Sequence, residues 1–99
     1  MNQSRAFLAK YLEVVEELQG QNPDDKELTF TLYEGSLMNN RFAKAAKMAA
    51  KMAQSFDMPT FTLPQIQCLY MDSQKHLGGT GSPMSLPLAI AFAEKYMGK

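Results

Sequence analysis

Apolar residues recur at helical spacing over most of the chain. Phe7, Leu8, Tyr11, Leu12, Val15 and Leu18 fall three and four apart, with Glu13, Glu16 and Glu17 on the opposite side. That pattern predicts an amphipathic helix from Asn2 to Gly20, with Ser4 as its N-cap and Gly20 as a left-handed terminator. Asn22-Pro23-Asp24-Asp25 then signals a fresh start, with a cap residue, a proline at the first helical position and acids at the positive end of the dipole.

The next segment carries two patterns at once. Leu28-Thr29-Phe30-Thr31-Leu32 alternates at period two and is rich in β-branched and aromatic residues, as strands are. Leu28 and Leu32 are also one helical turn apart, and no other segment alternates over a comparable length to pair with a lone strand. The reading is therefore a helix from Pro23 to Met38. Asn39-Asn40-Arg41 is the next break, because asparagine tolerates turn and left-handed conformations.

Phe42 to Phe56 gives the clearest helical signal, with alanines at 43, 45, 46, 49, 50 and 53, accompanied by Met48 and Met52 and closed by Pro59. Thr62-Leu63-Pro64-Gln65 has the form of a capping box, after which Ile66, Leu69, Tyr70, Ser73 and Leu77 share one face. Gly78-Gly79-Thr80-Gly81-Ser82-Pro83 reads as a flexible connection, and Ser85-Leu86-Pro87 opens a last helix with Leu86, Ala89, Ile90, Ala93 and Met97 on one stripe. The predicted fold class is all-α, with five helices paired as hairpins or gathered into a bundle. At 99 residues and 11.1 kDa the chain is expected to form one domain, 1–99.

Phe7-Leu8-Ala9-Lys10 heads one helix and Phe42-Ala43-Lys44 another, each followed by a proline, and Pro23 and Pro59 stand 36 residues apart. With Leu32, Ala45 and Pro59 near the family's Leu, Ala and Pro, the chain resembles tetratricopeptide-type helical-hairpin repeats, whose period is about 34 residues. The resemblance implies a half repeat in the first helix and hairpins over 24–58 and 62–97. The sequence departs from the family at Met52, where a small residue is usual, in lacking the Gly-x-x-Tyr element, and in its long glycine connection.

Charge sharpens this picture. The chain is neutral overall, so it lacks the basic field of most nucleic-acid binders. Residues 1–34 carry Arg5, Lys10 and Lys26 against seven acids, whereas 35–56 carry Arg41, Lys44, Lys47 and Lys51 and no acid. Those four are the candidate anion contacts, and nucleic-acid binding through the basic helix 41–51 is the alternative function. Without interleaved aromatic or amide side chains, a solvated face partly neutralised by the acidic first helix is the favoured account of them. The longest strongly apolar stretch, Pro87 to Ala93, is too short to span a bilayer. Glu13, Glu16 and Glu17 arrive before any signal-peptide core, so a cytoplasmic protein is expected.

Candidate chemistry is sparse. Cys68, Asp72 and His76 share one helix face, but eight residues at about 1.5 Å each separate thiol and imidazole by about 12 Å, beyond hydrogen-bond reach. Asp72 with His76 reads better as a surface ion pair, and Cys68 as a small apolar residue. One cysteine and one histidine supply neither a disulfide nor a metal set. The glycine run lacks the lysine of a phosphate loop and follows a helix instead of a strand. No catalytic residue, metal or cofactor is therefore expected.

What remains is surface. Ala45, Ala49 and Ala53 at i, i+4 and i+8, next to Met48 and Met52, would let another helix approach closely along a soft, adaptable wall. The expected function is a non-catalytic protein-interaction module, such as an adaptor, chaperone-like cofactor or inhibitor. Its partner would be another protein or a second copy, bound at Ala45, Met48, Ala49, Met52 and Ala53.

Overall fold

A computed structural model describes residues 2–77, 79 and 81–98, with side chains for 6–75, 79 and 81–98. Five α-helices follow one another: α1 (Asn2–Gln21), α2 (Lys26–Met38), α3 (Phe42–Gln54), α4 (Thr62–Leu77) and α5 (Ser85–Tyr96), with a 3-10 turn at Pro59–Phe61 leading into α4. No strand occurs among the described residues. The protein is all-α.

Boundaries follow the local hydrogen bonding. α1 runs through Gly20 and closes on Asn22, whose N–H reaches the Leu18 and Gln19 carbonyls and whose side-chain amide also donates to Leu18 at 3.0 Å. Gly20 is thus not the terminator, and Ser4 lies inside the helix, its side chain outside the described residues. α2 begins at Lys26, later than the proline signal suggests. Asp25 is its cap, accepting the Leu28 N–H at 2.9 Å, while Pro23 stays in the turn.

The strand-like alternation at 28–32 is helical for a visible reason. Thr29 and Thr31 each donate their hydroxyl to the carbonyl four residues back, at 2.8 Å in both cases. Such back-bonds accommodate β-branched hydroxyl residues inside a helix. Left-handed residues then stop two helices: Asn40 at φ 57° after α2, and Asp57 at φ 55° after α3.

The main interfaces join helices that are neighbours in the chain. α3 sits at the middle of this series. Its Ala45 and Ala46 pack with Cys68, Leu69 and Ala89 in one core cluster, and its Met48 packs on a second formed by Leu12, Val15 and Leu32. α2 touches both clusters, through Tyr33 and Leu37 on one side and Leu32 on the other. α1 lies tight against α2 because Gly35 carries no side chain: a Cβ there would stand 3.1 Å from Leu12 Cδ1.

The result is a slab of 45 × 33 × 18 Å. Only part of the predicted apolar face of α1 is covered, since Leu12 and Val15 are buried while Phe7, Tyr11 and Leu18 stay exposed. An end helix has a neighbour on one side only. No described helix is long and apolar enough to cross a membrane.

Candidate functional site

The alanine–methionine face lies elsewhere than on the surface. Ala45, Ala49 and Met52 are 0 % exposed, and Met48 and Ala53 are half-buried. Small side chains on α3 do permit close approach, but the helices that approach are the chain's own α2 and α4. Ala45, Ala49 and Met52 belong to the core of the folded chain and are closed to a partner in it, whereas Met48 and Ala53 keep part of their surface.

The basic residues do not form one free stripe. Lys44 is ion-paired with Glu16 of the acidic first helix. The Lys51 ammonium lies 5.7 Å from the centre of the Phe56 ring, so ring and stem hold it along the surface. Arg41 and Lys47 are exposed, and with Lys44 they line a shallow depression that Lys75 and Asp72 of α4 complete. Sequence spacing could not place Lys75 there, since it lies on another helix. Lys75 is held in turn, donating to the Asn40 carbonyl at 2.7 Å and covering the Phe42 ring at 5.8 Å.

Asp72 has a structural task. Its buried carboxylate accepts the Ser82 N–H at 2.9 Å and the Ser85 hydroxyl, tying the connection and the first residue of α5 back onto α4. The His76 side chain, and with it the expected Asp72–His76 pair, lies outside the described residues. Cys68 is buried, and burial pushes its thiol up to about 11, so it is neutral and a poor nucleophile at pH 7. No cluster of metal-ligating side chains occurs among the described residues.

A wide groove lies between α2, α4 and α5. This groove, of about 830 Å³, has Cys68 and Ala89 at its base, Tyr33 and Leu37 on one wall, and Ile66, Tyr70 and Met71 along α4. Leu86, Ile90 and Ala93 of α5 form the other wall. Among the described residues no acidic or basic side chain lines it; the polar groups there are the Tyr33 and Tyr70 hydroxyls, the Gln67 amide and the neutral thiol. Its α2 wall is braced from behind, because Tyr33 stands edge-on to Phe61 at 5.6 Å, and Phe30 packs on the same ring at 5.9 Å.

Its rim is large, apolar and open to water. Tyr70 is 52 % exposed, Met71 44 %, Leu86 46 % and Ile90 51 %. Two of these, Leu86 and Ile90, belong to the apolar stripe that periodicity marks on α5, and Tyr70 to the stripe on α4. Periodicity marks them as buried, since a one-dimensional pattern shows which residues share a face and not whether a neighbour exists to cover it. Comparison with family models, curated proteins and solved structures finds no match.

Proposed function

We propose that this protein is a non-catalytic protein-interaction module that receives an apolar helix face in the groove between α2, α4 and α5. The observation that carries this reading is a preformed groove of about 830 Å³ whose rim keeps Tyr70, Met71, Leu86 and Ile90 half in water. Exposed apolar side chains gathered around one concavity mark docking sites, whereas apolar residues scattered singly do not. The lining offers shape and hydrophobic contact but no acid–base pair, which fits recognition and gives chemistry no purchase. Tyrosine, methionine and branched aliphatic side chains can re-pack around helices of differing sequence. This reading is independent of the tetratricopeptide resemblance, which rests on the sequence alone.

A fluorescently labelled amphipathic model peptide with leucines at i, i+3, i+4 and i+7 tests the groove directly. Anisotropy should show saturable binding that weakens at least about tenfold in Ile90→Glu, because a desolvated charge is costly in an apolar contact. Lys47→Glu, on the basic face, should bind as the wild type does. Equal binding by wild type and Ile90→Glu, with loss only in Lys47→Glu, would move the site to the basic face and overturn the proposal.

A further inference from the structure

We infer that the occupant of the groove is a second copy of this chain, the α5 ridge of each protomer lying in the groove of the other. The inference rests on the groove being a docking site and goes on to name what fills it. Three properties of the folded chain point to a copy.

The first is area. The chain exposes 6635 Å². A compact monomer of 11.1 kDa exposes roughly 5,700 Å², so the excess is on the order of 1,000 Å². One partner in a standard interface contributes about 800 Å². The excess, taken over the whole chain, is of the size that one stable pairing removes.

The second is shape. The radius of gyration is 14.0 Å, against about 12.6 Å for a compact domain of this length. The slab is 18 Å thick and 33 Å wide. Two such slabs laid broad face to broad face would have a thickness close to their width, the proportions of a globular particle.

The third is self-complementarity. A two-fold interface pairs a surface with itself, so one face must hold both a ridge and a receiving groove. This face does: Leu86 and Ile90 stand out from α5 directly beside the concavity floored by Cys68 and walled by Tyr33 and Tyr70. Self-pairing also forbids like charges on the axis, and among the described residues no charged side chain lines the groove. The basic depression of Arg41, Lys44 and Lys47 could not pair with itself in that way. With net charge zero, two copies also meet without long-range repulsion.

Sedimentation equilibrium on the full chain, alongside the peptide titration above, tests this. Up to about 1 mM the wild type should sediment as a dimer, with Ile90→Glu and Leu86→Glu at least about 100-fold weaker in self-association and circular dichroism unchanged. Phe7→Glu, on α1, should still dimerise. A monomeric wild type that binds the model peptide would overturn the copy and leave the docking site standing. A monomer that fails to bind the peptide overturns both. A dimer that survives Ile90→Glu and Leu86→Glu, or is lost in Phe7→Glu, places the interface elsewhere and overturns the inference.

Discussion

α3 and α5 are of nearly equal length, both carry rows of alanine, and they end in opposite surroundings. α3 keeps its charges on one side, at Lys44, Lys47 and Lys51, and has neighbours along the rest, so Ala45, Ala49 and Met52 are sealed. α5 has no charge before Glu94 and Lys95 in its last turn, so its middle is apolar all round. A helix of that kind needs cover on every side. It receives cover chiefly from α4, through Ser85 and Ala89, and leaves Leu86, Leu88 and Ile90 in water. Apolar content does not decide what is core; the number of neighbours does.

That contrast can be broken most forcefully by a charge. Ala49→Glu places a carboxylate at a position that is 0 % exposed, which should cost several kcal/mol and abolish the helical circular dichroism at 25 °C. Leu86→Glu, on the open side of α5, should leave the spectrum as it is. If both unfold, α5 is as deeply integrated as α3 and the difference drawn between them fails.

Truncation gives a smaller effect in the same direction. Met52→Ala empties a fully buried site and should lower unfolding stability in urea by about 2–5 kcal/mol. Met97→Ala, just beyond α5 and 63 % exposed, should stay within about 0.5 kcal/mol of the wild type.

Alkaline pH sharpens the comparison from the groove side and should act most gently. Burial raises Cys68 from its ordinary 9.0 to about 11. It raises Tyr33 as well, with the charges of Cys68 and Glu34 adding to the effect. Each group holds its proton more tightly in the folded chain than in the unfolded one. The stability this gives is complete below the unfolded pKa and is lost as pH rises through the folded one, for Cys68 between about 9 and about 11. Urea midpoints should therefore fall across that window, and Cys68→Ala should flatten the fall. A midpoint independent of pH in both proteins would show that the groove floor is hydrated.

Periodicity, caps and breakers are local, and so the helices were legible residue by residue. The helix at Phe42 and the left-handed stop near Asn39-Asn40 needed only spacing and side-chain chemistry. Resolving 28–32 as helix needed the absence of a partner strand, and the threonine back-bonds supply its mechanism. The opening cap was displaced from Asn22 to Asp25 because both are good caps and only the turn geometry chooses between them. The site was less legible. Ala45, Ala49 and Met52 form a close-approach face by sequence, but who approaches is a long-range fact.

The sequence by itself determined that this chain is helical, roughly where its helices break, and that Lys44, Lys47 and Lys51 lie on α3 opposite Ala45 and Ala49. It did so because hydrogen bonding, dihedral preference and amphipathic spacing act within a few residues. Only the tertiary structure decided that α3 lies at the centre and α5 at the edge, that Lys75 joins the basic depression, and that Tyr70, Leu86 and Ile90 surround a groove. Those outcomes depend on which surfaces meet across the chain. Burial is a property of neighbours, and neighbours are assigned by packing.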